Sequence, residues 1–394
     1  MKVLVLGSGL MGPGAAFNAM SAPDVSQVTL CDVSQAQLDE GLRRLAGLAG
    51  AHKLATGRLD LEDQPAAVAL MQQFDVLVGA LPHAVTVLAV RAAIEARRPF
   101  VDMARLDELQ FAELAPLAEQ AGVCIIVGAG VEPGLTEIMT RHLAERLDRV
   151  DEVHILCGGI PEHPTPPLGY KIVFGGRRMP LRPADAQIVE NGQLVDVLRY
   201  SGVETVVFSG VGVCEAWHEG FMPWLLDLPQ LKDLKSGTQK TVRWPGYAAR
   251  VSVLRELGLL SMEPVDVDGV RVRPKQVLDA VLDPHVRLEE GERDLTLFRV
   301  EVLGEQDGYA RRYRVEMVDR YDDALHFTSM ARTTAFTAAI IARMVAQGEI
   351  VAAGVVPPEQ VITGPSFDRL VAELAASSVR FEITTEQTAA LLAG

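Results

Sequence analysis

The sequence predicts an α/β protein, in which a doubly wound parallel sheet is followed by a second, α+β domain with a mixed sheet. Its 394 residues exceed the length of one ordinary domain. Up to about residue 125, short β-rich runs alternate with helical patterns. After Gly130, strand-like segments are separated by stretches rich in Pro and Gly. We therefore predict a first domain over 1–128, a second over 129–328 and a C-terminal segment over 329–394.

The spacing of apolar residues predicts the individual elements. In the first domain the predicted strands are 3–6, 28–30, one within 54–60, 76–78, 100–102 and 123–127, and the predicted helices include 11–20, 35–46 and 86–96. Beyond it, a helix over 135–147 precedes strand-like segments at 153–156, 206–208, 240–243, 295–303 and 313–318. A helix over 333–347 carries small residues on one face, so we expect the helical C-terminal segment to pack closely on the first domain.

The composition argues against nucleic-acid and membrane partners. The chain has 37 basic and 52 acidic residues, which gives a net charge of −15, whereas binding to phosphate groups requires clustered cations. No apolar run approaches the roughly 18 residues of a membrane span, and the short apolar N-terminus is typical of a strand, not of a secretory signal. The four cysteines and eight histidines lack the spacing of disulfide frameworks or metal sites. We expect a cytoplasmic protein without a metal.

A G-x-G-x-x-G motif follows the first predicted strand and opens the first helix. Gly7 would make the tight turn, Gly9 would let the backbone approach a pyrophosphate, and Gly12 would pack the helix on the strand. With Leu10 and Met11, these residues lead into a helix N-terminus, whose free N–H groups and dipole favour phosphate. The context predicts a dinucleotide-binding domain of the Rossmann type.

Asp32 is predicted to select the cofactor. It stands at the end of the second strand, where a carboxylate accepts hydrogen bonds from the adenine-ribose hydroxyls. The next residues, 33–35, offer no cation for a 2′-phosphate, so we predict NAD and not NADP. The alternative is that Asp32 only caps the helix over 35–46, although Ser34 can do so.

Further cofactor contacts are predicted where the third and fourth strands end. Asp60 would flank the adenine, and Ala80, Leu81 and Pro82 would line the path of the dinucleotide. The alternative for both groups is ordinary strand termination.

A second set of residues is predicted to handle the substrate. Glu132 precedes Pro133, which favours an extended backbone at Glu132 and so directs its side chain away from the following helix. Glu132 is therefore our first candidate for a general base. The alternative is a carboxylate favoured by the dipole of the following helix. Arg243 offers a planar fork for a substrate carboxylate, and the alternative is a cation–π contact at the surface.

Weaker candidates accompany them. Lys171 and His218 are secondary candidates for the base, although an isolated Lys is usually solvated and a lone His is usually structural. The predicted substrate contacts also include Tyr170, Cys157 and Glu215. A lone Cys is more often a small buried hydrophobe than a catalyst.

These motifs resemble the saccharopine dehydrogenase-like family, and within it the lysine 6-dehydrogenase branch. The resemblance extends over nearly the whole chain, through segments 7–12, 79–82, 130–134, 158–161, 166–171, 243–246, 254–258, 333–341 and 354–359. It implies a homodimer whose second domain lines the substrate site and forms the interface. It also implies NAD-dependent oxidation of the lysine ε-carbon to an imine. Hydrolysis would then give the semialdehyde and ammonia, and the semialdehyde would cyclise.

Two departures keep alternatives open. Saccharopine dehydrogenases that form glutamate carry an Asp before Pro-Gly and a Cys before Gly-Gly, and Glu132 and Cys157 stand at those places. The segment 101–105, however, lacks their Tyr. A saccharopine dehydrogenase would need further cations, for which Arg177, Arg178 and Arg182 are candidates. A non-catalytic dinucleotide-binding protein is the third possibility, and the polar set of Glu132, Lys171 and Arg243 argues against it.

Overall fold

The computed structural model describes residues 1–174, 179–289 and 291–388, and the chain forms two compact units. The first unit contains Met1–Ile138 and Tyr321–Arg380, and the second contains Met139–Arg320 and the segment from Phe381 onwards. The chain thus passes from one unit to the other three times. The sequence had suggested two passages, at 128 and 328.

The first unit is a seven-stranded parallel sheet with helices. Its strands are β1 (Lys2–Leu6), β2 (Gln27–Asp32), β3 (Leu54–Arg58), β4 (Val76–Gly79), β5 (Phe100–Asp102), β6 (Cys124–Val127) and β17 (Gly354–Val356). Its helices are α1 (Gly12–Ser21), α2 (Gln35–Leu45), α3 (Gln64–Met71), α4 (His83–Ala96), α5 (Glu108–Ala121), α6 (Leu135–Ala144), which continues into the second unit, α9 (Ser329–Ala346), α10 (Pro358–Val361) and α11 (Pro365–Ala376). The order β17-β6-β5-β4-β1-β2-β3 reverses between β1 and β4, where such sheets bind ligands. The predicted doubly wound sheet is confirmed.

Helix α9 lies at the centre of the first unit. It packs on α1, β4 and β5, and nearly all of its side chains are buried. A Cβ atom on Gly14 of α1 would lie 3.3 Å from the Cβ of Ala335, so the two helices meet through small residues. The small-residue face that the sequence shows therefore lies against the nucleotide-domain helix.

The second unit contains a nine-stranded mixed sheet, as predicted. Its strands are β7 (Arg149–Pro161), β8 (Ala186–Glu190), β9 (Gln193–Val197), β10 (Glu204–Phe208), β11 (Gly212–His218), β12 (Ser236–Arg243), β15 (Asp294–Gln306), β16 (Tyr309–Arg320) and β18 (Glu382–Thr388). The hairpin β13 (Val265–Val267) and β14 (Val270–Val272) is separate, and the helices are α7 (Tyr247–Glu256) and α8 (Pro274–Val286). Strands β7 and β12 are parallel neighbours at the centre of the sheet.

The C-terminal segment differs from the helical prediction at two strands. Strand β17 extends the first sheet beside β6, and β18 pairs with β16 at the edge of the second sheet. All side chains of β18 are exposed and mostly polar, so it lacks the apolar alternation that reveals a half-buried strand. Within the part of the chain that the structure describes, no helix is long and apolar enough to cross a membrane.

Candidate active site

The glycine motif forms a tight turn at the carboxyl edge of the first sheet. Gly7 has a φ of +95°, and its N–H donates to the carbonyl of Cys31 at 2.7 Å. A Cβ atom on Gly7 would overlap the carbonyl oxygen of Ala80, and one on Gly12 would overlap that of Gly7. Only glycine fits at these two positions.

The space above the turn suits a phosphate. A Cβ atom on Gly9 would have no atom of the described residues within 4 Å. Helix α1 begins after Met11 with no side-chain cap among the described residues and no acidic residue in its first turn. Its positive end is therefore available to an anion, which fits the pyrophosphate of a dinucleotide.

Asp32 connects the glycine turn to the start of α2. Its Oδ2 accepts from the Ser8 N–H and its Oδ1 from the Ser34 N–H, both at 2.8 Å. The helix cap is Ser34, whose Oγ accepts from Gln37 N at 3.4 Å. Ser34, and not Asp32, therefore caps α2. Each Asp32 oxygen can still accept a further hydrogen bond from a ribose hydroxyl.

Arg58 is a cation beside Asp32 that the sequence interpretation missed. The two residues are paired across β2 and β3, and Arg58 Nε donates to the carbonyl of Val33 at 3.1 Å. The side chain is exposed, and its terminal nitrogens have no partner among the described residues. The premise that no cation accompanies Asp32 is therefore wrong. Only the parallel register, which aligns the ends of β2 and β3, could have revealed Arg58.

The remaining predicted cofactor residues divide into two groups. Ala80, Leu81 and Pro82 connect β4 to α4, and Ala80 lies against Gly7, with its N–H donating to Leu6 O at 2.8 Å. Strand β3 ends before Asp60, which is exposed and accepts from the N–H of Glu62 at 3.0 Å. Asp60 thus forms a surface turn, and its contact with the adenine stays a prediction.

Glu132 lies on a turn between β6 and α6. Gly134 has a φ of +135°, and a Cβ atom there would overlap the carbonyl of Gly130. The fully buried Glu137, which the sequence interpretation missed, accepts from the Gly134 N–H at 2.6 Å and from Thr136 Oγ1 at 2.7 Å. Glu137 is the acidic residue in the first turn of α6, and the half-buried Glu132 lies on the turn just before that helix.

Arg243 is a buried cation for which the described residues provide no counterion. It ends β12 and is only 4% exposed, and its Nη1 donates to the carbonyl of Val242 at 2.8 Å. Among the described residues, no carboxylate lies within 4 Å of the guanidinium, and Nε has no hydrogen-bond partner. Burying a charge in this way is costly unless a ligand compensates it.

Three aromatic rings surround this cation. The guanidinium carbon lies 4.5 Å from the ring centre of Tyr170, 5.8 Å from that of Tyr247 and 5.9 Å from that of Trp217. Arg243 therefore makes the cation–π contacts of the alternative interpretation, but in the protein interior and not at the surface. Burial raises the pKa of Tyr170, and the neighbouring Arg243 offsets part of this shift. Trp217 Nε1 is also buried without a partner in the described segments, so this N–H group and Arg243 Nε are available to a ligand.

Glu215 and Gly158 shape the surroundings of Arg243. The Glu215 carboxylate accepts from the N–H groups of Gly246 and Ala248, at 2.7 and 2.6 Å, and so fixes the start of α7. These two hydrogen bonds position the helix, and they are a structural reason for a carboxylate at this position. A Cβ atom on Gly158 would lie 3.0 Å from Arg243 Nη1, so the guanidinium passes directly over this glycine.

The secondary candidates for the base, Lys171 and His218, also lie in the second unit. Lys171 Nζ contacts the Glu292 carboxylate and the Arg287 carbonyl, both at 3.0 Å. This ion pair occupies the side chain that the sequence offered as a secondary base. Burial lowers the pKa of His218, helped by Lys240.

Cys157 is buried in the middle of β7, where it is paired with residues of β12 and β15. Of the extra cations considered for saccharopine, Arg182 pairs with Glu219 at 3.2 Å. Arg177 and Arg178 lie outside the described residues.

A glycine turn of this kind at the switch point of a doubly wound sheet is typical of a dinucleotide-binding domain. Comparison with known families makes this specific. Residues 3–126 match the saccharopine dehydrogenase NADP binding domain, and residues 130–379 match the saccharopine dehydrogenase C-terminal domain. The chain belongs to the saccharopine dehydrogenase family, so it is an oxidoreductase with a nucleotide-binding domain.

Curated relatives cover almost the whole chain at low identity. Carboxynorspermidine synthase of Vibrio cholerae is 25% identical over 94% of both chains. Carboxyaminopropylagmatine dehydrogenase of Synechocystis is 24% identical over 94% of this chain and 95% of its own length. The L-glutamate-forming saccharopine dehydrogenase of Schizosaccharomyces pombe is 23% identical over 80% of this chain and 86% of its own length.

A solved structure shares the fold. Apo saccharopine dehydrogenase (L-Glu forming) from Saccharomyces cerevisiae superposes with a TM-score of 0.80 at 18% identity, covering 98% of this chain and 99% of that one. None of the relatives named here carries the lysine 6-dehydrogenase name that the sequence motifs suggested.

Proposed function

We propose that this protein is an NAD-dependent dehydrogenase that oxidises the carbon–nitrogen bond at the ε-amine of L-lysine. The observation that carries the proposal is the buried Arg243 guanidinium, which lacks a carboxylate partner in the described chain. A substrate carboxylate would neutralise it through a bidentate, charge-assisted contact. The choice of lysine rests in addition on the resemblance of the motifs.

The first unit offers a fitting site for the cofactor. The turn from Gly7 to Gly12 would hold the pyrophosphate, and Asp32 would accept the ribose hydroxyls. When bound, the nicotinamide accepts a hydride from the substrate carbon. Asp32 supports NAD because its negative charge would repel the 2′-phosphate of NADP. Arg58 and the NADP name of the matching family domain support NADP instead.

The chain must also provide for the loss of a proton. Hydride can leave the ε-carbon only if the amine nitrogen has a lone pair, and lysine's ammonium has a pKa of about 10.4. Neutralising it at pH 7 costs roughly 4.6 kcal/mol, which desolvation and a base must supply. Glu132 is the proposed base, because Lys171 is held in an ion pair and Cys157 lies within a sheet.

A second candidate is oxidoreduction at a secondary amine that joins a carboxylated arm to a basic chain. The relatives favour it, since carboxynorspermidine, carboxyaminopropylagmatine and saccharopine are all carboxylated amines. Arg243 would serve such a substrate equally well. The two candidates differ in the leaving nitrogen, which is ammonia from lysine and a larger amine from the others.

One set of assays separates them. Lysine, saccharopine and carboxynorspermidine are each incubated with NAD and with NADP, and reduced cofactor, ammonia, glutamate and the o-aminobenzaldehyde adduct are measured. Our proposal expects reduced cofactor, ammonia and the cyclic-imine adduct from lysine, with activity rising above neutral pH. Glutamate from saccharopine, or reduced cofactor from carboxynorspermidine, with lysine inert, would replace it with the second candidate.

We also propose that the protein is a cytoplasmic homodimer that binds neither nucleic acid nor membranes. The resemblance supports the dimer, and the net charge of −15 supports the lack of polyanionic partners. Light scattering of the purified protein tests the dimer, and a monomer at micromolar concentration would refute it.

A further inference from the structure

Asp102 is a buried carboxyl group at the cofactor edge of the first sheet. It is the last residue of β5 and is 0% exposed. Its Oδ1 accepts from the Ala104 N–H at 2.7 Å. Its Oδ2 has no hydrogen bond of ordinary geometry in the described chain, and the buried hydroxyl of Thr86 in α4, which is near enough to influence the carboxyl group, forms none either.

The carboxyl group lies where two cofactor-edge turns meet. A Cβ atom on Gly79, the last residue of β4, would overlap Asp102 Oδ2, so the carboxyl packs directly against the start of the 80–82 turn. On the other side, Asp102 holds Ala104 in the turn between β5 and α5, and Met103 N donates to Gly79 O at 3.2 Å. The carboxyl group therefore contacts the residue from which the 80–82 turn starts, and that turn lies against Gly7.

The hydrogen bond to Ala104 does not require an acid at this position. Asparagine would accept the same N–H bond without a buried charge. Burial raises the pKa of Asp102 to about 7, and the Ala104 N–H and the Thr86 hydroxyl offset part of that rise. Buried acids that titrate near neutrality are concentrated at functional sites.

The charged groups on neighbouring elements do not neutralise Asp102. His83 at the start of α4 contacts the carbonyl of Arg105 through Nδ1 at 2.8 Å. Helix α9, which packs on β4 and β5, carries Arg332 and Arg343, and both are paired with acidic residues of the first unit. In the segments described, no cation lies within 4 Å of the Asp102 carboxyl group.

We propose that Asp102 is a positioning residue for the dinucleotide, and that the gain or loss of its proton alters the turn over 80–82 and thereby the affinity for the cofactor. Protonated, the acid is neutral. Ionised, it leaves a desolvated negative charge beneath a turn that faces a negatively charged ligand. Affinity should therefore fall as Asp102 loses its proton. The proposal depends on dinucleotide binding but not on which amine is oxidised.

Titration of the full chain with NADH, followed by cofactor fluorescence, tests this between about pH 6 and about pH 8.5. The dissociation constant of the wild type should rise several-fold over this range. Asp102→Asn keeps the shape and the acceptor for Ala104 but has no proton to lose, so its dissociation constant should not vary with pH. Thr86→Val removes a group that favours the ionised form, so its transition should move to higher pH.

Controls distinguish positioning from a purely structural role. His83→Gln should retain the wild-type profile. If Asp102→Asn changes the melting temperature but keeps the wild-type pH profile, the proposal is overturned, as it is if His83→Gln abolishes the pH dependence. Should Asp102→Asn fail to fold, the transition of Thr86→Val decides, and an unshifted transition refutes the proposal. Failure to oxidise lysine would leave this result unaffected.

Discussion

Among the described residues, each unit of the molecule contains a buried ionisable group with no counterion within 4 Å, and these two groups differ in how they can be neutralised. Asp102 in the first unit can take up a proton at near-neutral pH. Arg243 in the second unit cannot lose one, because a guanidinium stays protonated in proteins. An uncompensated buried Arg therefore indicates an anionic ligand, whereas an uncompensated buried Asp indicates sensitivity to pH.

Replacing Arg243 should have the largest effect. Arg243→Lys keeps the charge but loses the planar fork, so kcat/KM with lysine should fall about 100-fold, equivalent to about 3 kcal/mol. Cadaverine, which is lysine without the carboxylate, provides the control and should be oxidised equally slowly by the wild type and the variant. Equal losses with both amines would show that Arg243 is structural.

Neutralising Asp102 should change stability by an amount that grows with pH. The folded-state pKa lies above the unfolded value, so the native state binds the extra proton, and wild-type stability falls as pH rises from about 4 to about 7. Asp102→Asn has no carboxyl group to ionise, so its stability should not fall with pH in this way. Its free energy of unfolding should exceed that of the wild type by up to a few kcal/mol above pH 7 and by little below pH 4.

Urea denaturation at several pH values measures this difference. A constant offset between the two proteins across the range would contradict a titrating Asp102.

The exposed Arg58 provides a contrast with the two buried groups and should have the smallest effect. Arg58→Ala should weaken NADP binding by up to about five-fold and leave NAD nearly unchanged, because an exposed cation contributes about 1 kcal/mol or less. Asp32→Ala is the matched variant and should narrow the preference for NAD. Steady-state kinetics with both cofactors measures the ratio. Better efficiency of the wild type with NADP would reverse our cofactor assignment.

The sequence predicted what depends on neighbours along the chain. The turn from Gly7 to Gly12 and the parallel sheet follow from local spacing, and both are present. Arg58 and the surroundings of Arg243 depend on register between distant strands, which spacing does not encode. Glu137 was missed because a buried carboxylate that binds backbone N–H groups has the same sequence appearance as a solvated one.

Strand β18 was missed for a related reason. Its polar residues pair along the edge of a sheet through backbone hydrogen bonds, and such pairing requires no apolar pattern. The pairing of β17 beside β6 involves only three residues, too few for a periodic signal.

The buried helix α9 has a consequence for how the protein is made. It forms the floor beneath β4 and β5, yet it follows the whole sequence of Met139–Arg320 along the chain. On the ribosome, the cofactor turn at Gly7 is therefore synthesised early but must wait for α9 before its hydrophobic floor is complete. Until then the apolar surfaces of α1 and the first sheet stay open to solvent, so nascent chains that pause before α9 should be the species that chaperones bind.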